Sequence, residues 1–171
     1  KIHISHVSSA GTIDLIRLAK QWGVNVTAET APHYLYFTDE DVLCGNCTEI
    51  GKYHIDTSTK GIMTDTHKKM NPPLRTEADR RAAIFALIDG TLDMIATDHA
   101  PHSAEEKSRN FESAPFGVTG LETSFAVCHT QLVAKHAYIT PMHLISLMST
   151  KPAELLGRGG GTLKIGERAD V

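Results

Sequence analysis

Three predicted β-strands in this chain each end in a residue that can bind a metal or move a proton. The stretch Met94 to Ala96 is apolar, and Asp98 follows it shortly before Pro101. Because Pro101 cannot donate to a strand ladder, the strand must end before it. His6 and His33 end two earlier predicted strands in the same way. Since α/β folds place reactive groups at the carboxyl ends of parallel strands, we expect these side chains to share one edge of a sheet.

The first two strands are joined by a predicted helix. Lys1 to Val7 alternates and is β-branched, which predicts a strand, and Asn25 to Ala31 is predicted to be the next. Apolar residues at helical spacing predict a helix from Thr12 to Trp22, and Gly23 ends it. A strand–helix–strand unit of this length has parallel strands and a right-handed crossover.

The same alternation continues along the chain. Further strands are predicted at Thr66 to Met70, Met94 to Ala96 and Thr162 to Ile165, and further helices at Thr76 to Leu87, Leu121 to Lys135 and Pro141 to Leu156. A long polar excursion from Cys44 to Thr66 and a loop from Ser103 to Gly120 lie between them.

Four strand–helix units of this kind constrain the fold class. Because eight of them close a (β/α)8 TIM barrel, we predict an α/β protein that forms the C-terminal half of such a barrel. Residues 1–157 would form this half with its following helices. Residues 158–171 would be the start of a C-terminal β segment.

Composition excludes several classes of function. The chain has 171 residues, of which 41% are hydrophobic and 22% charged, as in globular proteins. A net charge of -3 without a basic block argues against nucleic-acid binding, and no apolar stretch approaches a membrane span. Three cysteines cannot form a disulfide framework, so we expect a cytoplasmic protein. The chain begins inside an apparent strand, so we also expect a piece of a longer polypeptide.

The residues at the predicted strand ends suit a metal ion. Taken alone, His6 is more simply explained as a core histidine bonded to a backbone carbonyl. Together, the imidazoles of His6 and His33 and the carboxylate of Asp98 suit zinc or a related divalent ion. Such an ion lowers the pKa of bound water towards neutrality. His99 and His102 follow Asp98 on the loop and offer further nitrogen donors or a cation.

Five segments carry a more specific signal. They are His3 to Ser8, Ala31 to Tyr34, Met70 to Arg75, Ala96 to His102 and Ala114 to Glu122. In this order they resemble the class I dihydroorotases of the amidohydrolase superfamily. The pairing of Asn-Pro-Pro-Leu-Arg with Thr-Asp-His-Ala-Pro-His makes the resemblance specific, whereas the segment from Gly161 to Asp170 is general to the superfamily.

The resemblance implies a two-metal centre and a reaction. His6 and His33 would bind the second metal, and Asp98 would bind the first and act as general base and acid. The reaction would be the reversible cyclisation of N-carbamoyl-L-aspartate to L-dihydroorotate in pyrimidine biosynthesis. The superfamily's His-x-His pair and bridging ligand have no counterpart in this chain, so we expect the isolated chain to be inactive.

The resemblance also implies how a substrate is held. Asn71 and His102 would bind its free carboxylate, and Pro115 and Gly117 would supply backbone contacts to its ring. Allantoinase and dihydropyrimidinase chemistry is the first alternative. A non-catalytic scaffold for aspartate transcarbamoylase is the second, although a scaffold should have lost its metal ligands and His6, His33 and Asp98 are all in place. As partners, we expect a homo-oligomer or an association with aspartate transcarbamoylase.

Overall fold

A parallel sheet of three strands organises the protein. The computed structural model describes residues 1–43, 64–157 and 159–167. The strands are β1 (Ile2–Ile4), β2 (Val26–Thr30) and β3 (Met94–Ile95), and they neighbour one another in that order. Both pairings are parallel, with Ile2 opposite Val26 and Glu29 opposite Met94. Consecutive parallel strands joined by helices confirm the predicted α/β class.

Helix α1 (Ala10–Gln21) connects β1 to β2, as its spacing predicts. The Ser9 hydroxyl accepts a hydrogen bond from the backbone N–H of Thr12, which caps the helix start. Ile13 and Ile16 are buried in the core that also contains Ala28 of β2. The helix therefore buries its apolar face against the sheet.

Helix α3 (Glu77–Ile88) precedes β3 and was also predicted from its spacing. The Thr76 hydroxyl caps it by accepting from the N–H of Asp79. The Asp79 carboxylate accepts from the N–H of Ala10 at 2.8 Å, which joins the starts of α1 and α3. Ala83 and Leu87 pack into the same core as α1.

The late helices contain π-helical turns. Helix α5 (Ser124–Cys128) runs into a π-helical segment, His129–Lys135, and α6 (Pro141–Ile145) runs through Ser146–Thr150 into α7 (Lys151–Leu156). These helices cover the predicted ranges, except that the first begins at Ser124 instead of Leu121. Leu132, Leu144 and Leu147 are buried in the core. Within the described ranges, no helix is long and apolar enough to cross a bilayer.

The predicted strand from Thr66 to Met70 is wrong. A 3₁₀-helix, Thr66–Lys68, occupies this place. The Asp65 carboxylate accepts from the backbone N–H of His67 at 2.9 Å, and this local bond favours a helical turn over an extended strand. The third predicted strand–helix unit therefore has no strand in the part of the chain that the structure describes.

The terminal strand is also wrong. Residues 162–165 form no strand, and Leu163 and Ile165 are exposed. A strand needs a neighbour for its backbone groups, and none of the described residues pairs with this segment.

Two short helices lie where none was expected. These are α2 (Pro32–Tyr36), directly after β2, and α4 (Ala104–Lys107), inside the predicted loop from Ser103 to Gly120. A second 3₁₀-helix, Asp39–Val42, follows α2. Most of the predicted polar excursion, residues 44–63, lies outside the described residues.

Candidate metal and substrate site

The carboxyl ends of the three strands lie at one edge of the sheet. Backbone hydrogen bonds continue beyond the strands, because Val7 donates to the carbonyl of Glu29 at 2.8 Å. Ala96 donates to the carbonyl of Thr30 at 3.0 Å on the other side of β2. The residues that follow β1, β2 and β3 are therefore held beside one another, as expected for parallel strands.

Two of the predicted ligands occupy an unusual backbone conformation. The φ angles of His6 and Asp98 are +43° and +47°, in the left-handed region. This conformation costs roughly 1–2 kcal/mol for a residue other than glycine. It breaks the alternation of the strand and turns each side chain away from the position that a continuing strand would give it. Strain of this kind is concentrated at functional sites.

His33 and Asp98 come together at this edge. His33 lies in the first turn of α2 and is buried, and its Nε2 is 3.8 Å from Oδ2 of Asp98. That separation is too long for a hydrogen bond. His33 Nε2 and His6 Nδ1 are both buried without a hydrogen-bond partner among the described residues. A buried polar atom without a partner costs about 1–3 kcal/mol of stability. A ligand bound to these two nitrogens would offset that cost.

The electrostatics of His33 favour its neutral form. Burial lowers the pKa of His33 to about 4, the negative charge of Asp98 opposes this shift, and His6 adds to it. At neutral pH the imidazole is therefore uncharged, which is the form that binds metal ions. The two orphaned nitrogens and the adjacent carboxylate fit a divalent ion such as zinc.

The arrangement is not a complete metal site by itself. Among the described residues, no group of three or more His, Cys, Asp or Glu side chains is arranged to hold a metal ion. The structure brings His33 and Asp98 within 4 Å, and it places His6 close enough to act on the pKa of His33. The metal-ligand roles of all three residues remain a prediction.

Two loops at the same edge pack against each other. Nε2 of His102 is 2.8 Å from the carbonyl oxygen of Phe116, and the N–H of Ala100 donates to the carbonyl of Val118 at 3.0 Å. Gly117 has a φ of +130°, and a Cβ at this position would lie 2.6 Å from the Cβ of Ala100. Only glycine permits this approach of the two loops.

The four predicted substrate residues differ in exposure. Asn71 and His102 are exposed, Pro115 is half-buried and Gly117 is buried. His102 and Gly117 belong to the two loops that pack together, and the bond to Phe116 already occupies Nε2 of His102. Their roles in binding a substrate also remain a prediction.

His99 acts as a hydrogen-bond acceptor in the structure. Its Nδ1 accepts from the backbone N–H groups of Gly120, at 3.0 Å, and Leu121, at 3.1 Å. These two bonds fix the His99 ring to the backbone where the loop ends at Gly120. The expectation that His99 offers a nitrogen donor or a cation stays a prediction.

Sequence reasoning assigned no role to three residues around the site. The Tyr34 hydroxyl donates to the carbonyl of Pro72 at 2.6 Å. Burial raises the pKa of Tyr34, and the negative charge of Asp98 adds to this shift. The Tyr34 ring packs edge to face against the ring of His33, with the ring centroids 4.1 Å apart. Lys69 and Lys107 are buried, although lysine in a polar stretch is normally exposed. Their sequence context gave no signal of burial.

Comparisons with known proteins identify the family. Residues 2–171 match the amidohydrolase family. The chain is 44% identical over 169 residues to the dihydroorotase of Bacillus cereus strain AH820, covering 99% of this chain and 35% of that protein. It therefore spans about a third of the length of the curated relatives that it matches.

Solved structures with the same fold agree with this match. The L-hydantoinase (dihydropyrimidinase) from Arthrobacter aurescens is 28% identical with a TM-score of 0.78, covering 98% of this chain and 34% of that one. The dihydropyrimidinase from Brevibacillus agri NCHU1002 is 26% identical with a TM-score of 0.79 and the same two coverages, 98% and 34%. The sequence match, the parallel sheet and the edge that carries His33 and Asp98 lead to one conclusion: this chain belongs to the amidohydrolase family.

Proposed function

We propose that the full-length protein containing this chain is a dihydroorotase, which reversibly cyclises N-carbamoyl-L-aspartate to L-dihydroorotate. The observation that carries the proposal is the identity of 44% with a dihydroorotase across 169 residues. The hydantoinase and dihydropyrimidinase of known structure reach only 28% and 26%. The segments that carry the resemblance to class I dihydroorotases are also those that meet at the carboxyl edge of the sheet.

We also propose that this chain forms half of a barrel. Residues 1–157 would form the C-terminal half of a (β/α)8 barrel, and residues 158–171 the start of a C-terminal segment. The consecutive parallel order of β1, β2 and β3 supports this, since a barrel sheet is built in that order. The left-handed Gly157, at a φ of +62°, ends α7 at the proposed boundary.

Members of this family are generally metal-dependent. His6, His33 and Asp98 would hold zinc or a related ion through the two orphaned imidazole nitrogens and the carboxylate. When bound, the ion polarises the amide carbonyl and acidifies water. The low pKa of His33 keeps that imidazole neutral and able to bind without first losing a proton.

Asp98 would move the proton in this reaction. Its side chain is one-third exposed at the open edge, so a substrate can reach it, whereas the neighbouring His33 is buried. In the hydrolytic direction the carboxylate would take a proton from the attacking water and deliver it to the leaving amide nitrogen. A general acid and base of this kind contributes about 10²–10⁴-fold to the rate.

Substrate binding would use the two packed loops. Asn71 and His102 would hold the substrate's free carboxylate, and Pro115 and Gly117 would present backbone groups to its ring. The contact between His102 and the carbonyl of Phe116 supports this, because it holds the loop of residues 115–117 beside the histidine.

The experiment is a substrate comparison on the purified full-length protein. We expect the highest kcat/KM with L-dihydroorotate and little turnover of allantoin or dihydrouracil. A higher kcat/KM with dihydrouracil would replace the proposal with a dihydropyrimidinase, the candidate that the superposition on two such structures favours. The isolated 171-residue chain should turn over none of these substrates, and its activity would contradict the half-barrel proposal.

Two assembly states are proposed with the activity. These are a homo-oligomer and an association with aspartate transcarbamoylase. Analytical ultracentrifugation of the full-length protein, alone and with aspartate transcarbamoylase, tests both.

A further inference from the structure

Two lysines next to the proposed substrate loops are buried, and neither has an acidic partner among the residues that the structure describes. Lys69 is 7% exposed and Lys107 is 4% exposed. Lysine is almost never fully buried unless its charge is paired. Among the described residues, no carboxylate lies within 4 Å of either ammonium group. Both charges are held by neutral backbone carbonyl groups instead.

The Lys69 ammonium group binds one face of the segment Phe111–Gly117. Its Nζ donates to the carbonyls of Phe111 at 2.6 Å, Glu112 at 3.1 Å and Ala114 at 2.7 Å. It also lies 4.4 Å from the centre of the Phe116 ring, over its face. The three carbonyls that accept from it therefore lie within four residues of chain.

The Lys107 ammonium group joins three segments of the chain. Its Nζ donates to the carbonyls of Thr66 at 3.0 Å, Lys69 at 3.1 Å and Pro115 at 3.0 Å. The Thr66 hydroxyl donates back to the carbonyl of Lys107. Helix α4, the segment before Asn71 and the segment that contains Pro115 are thus fixed to one point.

These contacts involve or adjoin the segments that carry the four proposed substrate residues. Asn71 follows Lys69 by two residues, and the N–H of Gly117 donates to the carbonyl of Lys69 at 3.0 Å. His102 contacts the carbonyl next to Gly117 and lies on the segment that leads into α4. The Pro115 carbonyl is itself an acceptor for Lys107.

We propose that Lys69 and Lys107 are positioning residues for substrate binding, which set the segments carrying Asn71, His102, Pro115 and Gly117 relative to one another. An apolar side chain of the same length fills the space without desolvating a charge, so a stable core does not need an ammonium group here. An apolar side chain does not fix three carbonyls in space, whereas an ammonium group with three donors does. This inference rests on the proposed function, because the substrate contacts belong to it.

The test is Lys107→Met in the full-length protein, with Lys68→Met as the matched control. Lys68 lies in the same segment, but its Nζ donates to the backbone carbonyl of Asp41, pairs with the Asp65 carboxylate and lies over the ring of Phe37. We expect Lys107→Met to raise KM for L-dihydroorotate about tenfold and to change kcat about threefold or less, as the loss of charge-assisted hydrogen bonds predicts. Amide hydrogen exchange across residues 111–117 should become faster. Lys68→Met should leave both measurements unchanged.

Lys107→Gln keeps two N–H donors and supplies the same readouts where the Met variant does not fold. A fall in thermal stability with an unchanged KM in either Lys107 variant would overturn the inference, because a purely structural lysine would behave in that way. If the full-length protein turns over dihydrouracil instead of L-dihydroorotate, the proposed function fails. The KM comparison is then made with dihydrouracil and still decides the role of Lys107.

Discussion

Histidine nitrogens at one edge of the sheet occur in two opposite states. His99 and His102 each have a ring nitrogen hydrogen-bonded to backbone groups of the facing loop. His6 and His33 each have a buried ring nitrogen with no partner among the described residues. Because buried polar groups are nearly always paired, we expect the first pair to hold the loops in place and the second pair to accept a ligand. Satisfaction of hydrogen bonds thus separates the two loop histidines from the proposed metal ligands.

The largest expected effect contrasts the two ends of β3. Asp98 follows the strand at the open edge, whereas Asp93 precedes it and accepts from the N–H of Ala28 and from Lys20, both at 2.8 Å. We expect Asp98→Asn to lower kcat by about 10³-fold, because it removes the proposed general base. Asp93→Asn should cost about 1 kcal/mol of unfolding free energy and leave kcat unchanged. Steady-state kinetics and urea unfolding of both variants check this, and equal losses of kcat would contradict it.

The second prediction concerns the packed loops. Gly117→Ala introduces a methyl group 2.6 Å from the Cβ of Ala100. We expect the two loops to separate, with a loss of about 1–3 kcal/mol of stability and about 10²-fold in kcat/KM.

Gly90→Ala is the matched control for Gly117→Ala. Gly90 also has a left-handed φ, +80°, but a Cβ there meets no atom within 4 Å. It should lose about 1 kcal/mol of stability from backbone strain and keep its kcat/KM. A Gly117→Ala variant with the kinetics of Gly90→Ala would show that the close approach of the loops is unimportant.

The stability of the metal-free full-length protein should fall at acid pH because His33 is buried without a hydrogen-bond partner for Nε2 among the described residues. The folded pKa is about 4 and the unfolded value 6.5, so the unfolded chain binds a proton in this window and the folded chain does not. The free energy of unfolding should therefore fall by roughly 3 kcal/mol as the pH drops from 6.5 to 4. Urea unfolding across this range measures the slope. His33→Asn should remove this component, and an identical slope in both proteins would count against it.

The smallest effect is expected from the tyrosines of α2. Tyr34→Phe removes the hydroxyl that donates to the carbonyl of Pro72, which leaves that carbonyl without this donor. We expect a loss of about 1 kcal/mol of stability and a several-fold rise in KM, since Pro72 adjoins Asn71. Tyr36 is 46% exposed, so Tyr36→Phe should change neither quantity. A silent Tyr34→Phe variant would remove this residue from the account of the site.

Periodicity predicted the elements that bury one face against the sheet. Helices α1 and α3 follow from their apolar spacing, and β2 and β3 follow from short runs that end at histidine- or aspartate-containing turns. The common edge of His6, His33 and Asp98 then follows from parallel topology alone. Apolar spacing therefore predicted the common edge of the proposed ligands as well as the helices.

What the sequence did not predict depends on hydrogen bonds that periodicity does not encode. The 3₁₀-helix at Thr66–Lys68 replaces a strand because Asp65 bonds its own neighbouring backbone. The burial of Lys69 and Lys107 depends on carbonyls brought in from about 40 residues away in the chain. A lysine in a polar stretch gives no sign of such partners, so these contacts emerge only from the folded structure.

The most direct test is to measure the zinc content of the full-length His33→Asn and His3→Gln variants by inductively coupled plasma mass spectrometry. His3 is the matched control because both of its ring nitrogens are already bonded, Nδ1 to Thr27 at 2.9 Å and Nε2 to Glu29 at 3.0 Å. If the proposed two-metal zinc centre is present, we predict that His33→Asn loses about half of the bound zinc and that His3→Gln retains it all. Full zinc occupancy in His33→Asn would contradict the claim that the unpartnered imidazole is a metal ligand.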